Sequence, residues 1–319
     1  MTEPDRSWRK VWTAPALSGA AATVLYLSGL FSFLFAVPLQ LVYERSGKRE
    51  AVYGTGVGLV LIALTRLVQT ARVTTLSGDM MPLLAMDIMI PAGIMIGLLA
   101  FNLVRQLTWS LRLVGAGLIG IVGAIPLIVT FGGDSELNQV LQQELVPMLE
   151  SMGMVVDGSL LLEQVRRLLL STIGLAMTSS IAANWWIGKQ LSFRSALRLR
   201  SAIVDDRLVW LVIGGLGLVV LGWIGSSAQG MSIAVARYVG WNATAIGAFV
   251  FAIQGVGVIE HFLVRKGASR RSLRWTLMIV VLALFLPGIN VAVIVGVPAL
   301  GISEIWIDYK RRTVNESNT

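Results

Sequence analysis

The chain has 319 residues, of which 55% are hydrophobic and only 14% charged, and its mean hydropathy of +0.75 is more than a water-soluble core can enclose. The formal net charge of +8 comes without interleaved aromatic and basic residues, so it reads as charge that orients a membrane protein and meets anionic lipid headgroups, not as a nucleic-acid surface. Cysteine is absent, which excludes a disulfide framework, a thiolate nucleophile and a cysteine metal site.

Eight apolar blocks run along the chain, near residues 14–43, 51–71, 81–104, 110–132, 167–190, 208–226, 238–263 and 273–308. Each is close to or longer than the ~20 residues a helix needs to cross ~30 Å of hydrocarbon. A backbone amide unpaired in lipid is costly, and no alternating ten-residue pattern suggests a barrel. The expected fold is therefore an all-α polytopic bundle, a single integral membrane domain over residues 1–319.

The first block follows Arg6, Arg9 and Lys10 and has no small-x-small cleavage site after it, so it reads as an uncleaved span. Ala14, Ser18 and Ala22 repeat every four residues, a small-residue face that permits close contact within the fold or docking of another subunit. As one helix the block would measure about 45 Å. Gly29 and Pro38 interrupt it, which predicts a hairpin of two short helices. In the third block Asp87, between Pro82 and Pro91, is placed either to pair with Arg66 or Arg72 or to line a substrate path.

Residues 133–166 carry Asp134, Glu136, Glu144, Glu150, Asp157 and Glu163 with no basic residue before Arg166. This extracytoplasmic insert has apolar residues at helical spacing, which fits an amphipathic helix on the outer interface or a lid over an outward-facing cavity. Asn184-Trp185-Trp186 before Lys189 reads as an interfacial aromatic belt. An arginine-rich amphipathic linker, 191–207, follows on the cytoplasmic side.

The seventh block is unusual because Asn242, Gln254, Gly255, Gly257, Glu260 and His261 interrupt it. Polar side chains inside a membrane need a partner or a cavity. Gln254 and His261, seven residues apart, share a face. Gln254, Asn242, His261 and Asp87 are therefore the candidate substrate-lining residues, while Gly255 and Gly257 read as close helix contacts. Pro287-Gly288 breaks the last block, which predicts a second hairpin and about ten membrane segments in all.

With both long blocks doubled and the amino terminus inside, 21 of the 26 basic residues collect on the cytoplasmic side. Only Arg66, Arg72, Arg166, Arg167 and Arg237 fall outside. Both termini are then cytoplasmic in an inner membrane of bacterial type. No phosphate-binding loop, zinc-protease pair or nucleophile elbow occurs, so neither an enzyme, a metal site nor a cofactor is expected.

Pro38-Leu39-Gln40-Leu41-Val42-Tyr43 with Arg45, Gly47 and Arg49, then Asn242 with Gln254-Gly255-Val256-Gly257-Val258, and the ending Gly301-Ile302-Ser303-Glu304-Ile305-Trp306-Ile307-Asp308 together resemble the YybS-like family of uncharacterised bacterial membrane proteins. That family is distantly similar to the S components of energy-coupling-factor vitamin transporters. The resemblance implies a substrate-capturing bundle without its own ATPase, a small-molecule ligand, and a coupling subunit docked on the Ala14/Ser18/Ala22 face. The alternative is a structural membrane protein whose basic cytoplasmic segments recruit scaffold partners.

Overall fold

The computed structural model describes residues 5–29, 31–73, 80–132, 158–192, 203–224 and 231–307, with the single positions 147, 151 and 309. Among these the regular structure is all helical, in eleven helices. Five are long and apolar enough to cross a membrane, and a bent pair makes a sixth if it is one span. Most of the expected external insert and residues 193–202 of the expected basic linker lie outside the described residues.

The chain divides into two compact units, residues 1–106 with 112–196, and residues 107–111 with 197–319. The second division falls inside the arginine-rich stretch 191–207.

In unit 1 the first block is broken as expected. Helix α1, Asp5–Leu27, ends where Gly29 takes a φ of 70°, a left-handed turn that favours glycine. Helix α2, Val37–Ser46, starts with Pro38 in its first turn, where the missing N–H leaves nothing unpaired. At ten residues it is too short to cross by itself, since the hydrocarbon core needs about 20. The irregular stretch between the two is held by α7, Gly158–Leu191: Asn184 Nδ2 donates to the Phe33 carbonyl at 2.8 Å.

Helix α3, Lys48–Val73, packs on α1 through small residues. A Cβ on Gly19 would lie 2.7 Å from the Gly54 carbonyl oxygen, and one on Gly54 would meet Ser18 Oγ; Ala22 is buried as well. Of the small residues that sequence offers for close contact or subunit docking, Ser18 and Ala22 are turned into the fold and Ala14 is half-buried. Helix α4, Met80–Leu103, packs on α3 and α7.

The span expected over 110–132 is broken into two helices, α5, Trp109–Gly123, and α6, Ile125–Gly132, with a bend of 55° between them. Pro126 explains the bend: its ring clashes with the carbonyl four residues back and it has no N–H to give.

Unit 2 contains α8, Leu208–Ile224, α9, Met231–Arg265, α10, Arg270–Ala283, and α11, Ile289–Ile307. The last block is broken at Gly288, with a φ of 84°, directly after Pro287. Helix α9 packs on both α8 and α11. Its Gly255 and Gly301 of α11 let the two backbones approach so closely that a Cβ on either would meet the other helix's backbone.

Several amides are turned inward while many large apolar side chains face outward. Gln40 and Asn184 are fully buried and Gln254 is 2% exposed, while Phe285 is 79% and Trp210 72% exposed. Apolar helices with amides turned inward suit a lipid surround.

Candidate functional site

The most polar part of unit 1 lies where α2 and α4 end and α3 begins. Gln40 and Asn102 form a reciprocal amide pair: Asn102 Nδ2 donates to Gln40 Oε1 at 2.6 Å, and Gln40 Nε2 donates to Asn102 Oδ1 at 3.4 Å. Gln40 Nε2 also donates to Glu44 Oε1 at 3.0 Å. Tyr43, one turn after Gln40, donates its hydroxyl to the Asn102 carbonyl at 2.9 Å and accepts from Arg105 Nη2 at 2.8 Å.

A small cavity adjoins the pair, lined by Leu39, Gln40, Tyr43, Thr55, Leu98 and Asn102 among others. It has room for about one water molecule. Thr55 is only 5% exposed, and its hydroxyl has no hydrogen-bond partner among the described residues. With Gln40, Asn102 and Thr55 all lining it, the cavity suits a small hydrogen-bonding guest.

At the other end of α4, Asp87 pairs with Arg66, Oδ2 to Nε at 3.5 Å, one of the two partners the sequence offers it. The guanidinium sits over the Tyr26 ring, 5.5 Å from its centroid. Tyr26 OH donates to the Asp87 backbone carbonyl at 2.9 Å. That carbonyl lies four residues before Pro91, which has no N–H to offer it.

The other candidates lie on α9 in unit 2. Gln254 Oε1 accepts from the backbone N–H of Val204 at 2.8 Å. Two further side chains fasten the same non-helical stretch: Trp109 Nε1 donates to the Ile203 carbonyl at 2.8 Å, and Ser110 Oγ accepts from the Asp205 N–H at 3.1 Å. Gln254 therefore holds irregular backbone, which must be satisfied by protein where water is absent. Asn242 is half-buried and donates to the Tyr238 carbonyl of its own helix at 2.8 Å. His261 is half-buried beside the Phe262 ring, centroids 6.0 Å apart. Gly257 is buried. Asp87 thus belongs to unit 1 and Asn242, Gln254 and His261 to unit 2.

Sequence reasoning did not single out Gln40, Thr55 or Asn102 as a site. Gln40 and Tyr43 do stand in the Pro38–Tyr43 stretch that carries the family resemblance, but Asn102 has no comparable signal. Among the described residues no three His, Asp or Glu side chains group so as to hold a metal ion. Comparison with protein-family models, with characterised proteins and with solved structures finds no match.

Proposed function

We propose that the chain is a YybS-like multi-pass integral membrane protein that binds a small hydrogen-bonding solute for transport and has no energy source of its own, in the manner of an S component. The observation that carries this reading is the cavity beside Gln40 and Asn102, which Thr55 lines with no hydrogen bond to its hydroxyl among the described residues. Ligand sites in membrane bundles are mostly apolar pockets with a few convergent polar groups. The pocket's present size implies that α2 or α3 must shift to admit a larger solute.

In this reading about ten segments meet the membrane, both termini are cytoplasmic, and the membrane is the bacterial inner one. Two polar girdles on α4 support a transmembrane placement of unit 1. Asp87 with Arg66 and Tyr26 marks one, Asn102 with Tyr43 and Arg105 the other. They lie about 22 Å apart by helical rise, close to the hydrocarbon depth once side-chain reach is added.

The small cavity also favours a second reading, a structural protein in which the amide pair only fastens α2 to α4. Thr55→Val separates the two, because it removes the hydroxyl without leaving any partner unpaired. Full-length protein in detergent is analysed by native mass spectrometry for retained small molecules. Loss of a retained solute with an unchanged melting temperature supports binding. An empty wild type, or a solute held equally by the variant, defeats it and leaves the structural reading.

A further inference from the structure

We propose that unit 1 binds the phosphate of an anionic phospholipid on Arg105, Arg112 and Lys189, at the end where α2, α4 and α7 finish. The three cations lie over three aromatic rings. The Arg105 guanidinium is 5.8 Å from the Tyr43 centroid, that of Arg112 is 4.8 Å from Phe101, and Lys189 Nζ is 5.3 Å from Trp185. Phe101 meets Trp185 edge-on at 5.1 Å, and Arg105 lies within electrostatic reach of Arg112. The rings and cations thus make one patch.

None of the three cations forms an ion pair among the described residues. Their protein hydrogen bonds use few of their donors: Arg105 Nη2 to Tyr43 OH, and Arg112 Nη1 to the Phe101 carbonyl at 3.3 Å. A guanidinium has five N–H groups, and the Nε of Arg112 is buried with no hydrogen-bond partner among the described residues. A ring face holds a guanidinium in position without neutralising it. Three unneutralised cations around a buried, unpaired donor therefore call for an anion rich in acceptor oxygens, and phosphate supplies that geometry.

The surroundings select a lipid as its source. Leu103, Val104, Trp186 and Leu191 are 37%, 44%, 41% and 46% exposed, and they belong to the same helix ends as the cations. They offer an apolar surface for acyl chains next to the charge, the combination by which basic pockets among membrane helices hold anionic lipid headgroups.

The test uses the full chain in neutral detergent. Phosphatidylglycerol, phosphatidylcholine or inorganic phosphate is titrated in, while adducts are counted by native mass spectrometry and melting is followed. Wild type should retain phosphatidylglycerol and be stabilised by it far more than by the other two. Lys189→Gln and Arg112→Gln should each weaken that affinity about five-fold, Arg112→Lys should lose less, and Arg237→Gln in unit 2 should lose nothing. Should Arg112→Gln fail to fold, Lys189→Gln reads the same quantity. Equal binding of phosphatidylcholine, or wild-type affinity in both charge variants, overturns the proposal. Inorganic phosphate that matches phosphatidylglycerol overturns the lipid source and leaves a soluble anion.

Discussion

Pro91 creates a problem in the middle of α4 that a residue on another helix solves. Its missing N–H frees the Asp87 carbonyl, and Tyr26 OH takes that place at 2.9 Å. Tyr26→Phe should therefore destabilise the protein by about 1 kcal/mol, the net worth of a part-buried hydrogen bond. In a Pro91→Ala background, where the helix supplies its own donor, the same change should cost much less; thermal melting of the four proteins of this double-mutant cycle measures the coupling. Additive losses would show that Tyr26 contributes only packing. Gln254 makes a related case, since Gln254→Leu leaves the Val204 N–H without an acceptor. A loss of about 1–3 kcal/mol is expected, and Gln254→Glu, which keeps the acceptor, should recover part of it. Melting of the two variants decides, and equal losses would mean that the 2.8 Å contact is incidental. The sequence marks Gln254 as a side chain needing a partner, because an amide in an apolar helix is costly. It cannot show that the partner is backbone fifty residues away. Gln40 and Asn102 escaped for the same reason: each amide is unremarkable until the fold brings them together across sixty-two residues.

Where the chain breaks was largely legible, because length and local chemistry agreed. Residues 14–43 and 273–308 are too long for one crossing, and Gly29, Pro38 and Pro287-Gly288 stand where breaks are cheapest. The structure turns at Gly29 and Gly288 with φ of 70° and 84°. The break before Pro126 was not anticipated, since 110–132 has ordinary span length and nothing about its length demands an interruption. Helices α7 and α9 also run further than their apolar blocks, starting at Gly158 and Met231. Hydropathy marks the part of a helix that suits lipid, not the turns that project past it. Close helix approach gives a prediction at this scale. A Cβ on Gly255 would meet the backbone of Val297 and Gly301, whereas one on Gly296 meets nothing within 4 Å. Backbone cannot swing aside as a side chain can, so Gly255→Ala should cost about 1–3 kcal/mol. Gly296→Ala, free of contact in the same bundle, should be neutral or stabilise by up to about 1 kcal/mol. Equal melting shifts for the two would mean that α9 and α11 are not held by this contact.

For the whole molecule, nothing in composition announced two units, since both are built from the same apolar helices and differ only in which helices pack together. Orientation is a separate matter that charge alone addresses. In the proposed topology 21 of the 26 basic residues lie on the cytoplasmic side, a bias that sets the direction in which short loops are retained. The five exceptions test the idea, because an unpaired arginine near the outer face would argue for the opposite insertion. Three of them carry a carboxylate partner: Arg66 with Asp87 at 3.5 Å, and Arg166 and Arg167 with Glu163 at 3.0 and 3.2 Å. Paired charge is tolerated at membrane depth far better than isolated charge. The break in each long block matters equally, since an odd number of crossings at either would carry Arg45, Lys48 and Arg49, or the basic carboxyl terminus, to the wrong side. Alkaline phosphatase fused after Thr319 should therefore be inactive, and the same enzyme inserted near Ser151 active. Activity at Thr319 would reverse the carboxyl terminus and require one of the short helices, α2 or α10, not to count as a crossing arm. Inactivity at Ser151 would place the acidic insert inside, and the charge bias would then have no role in orienting this chain.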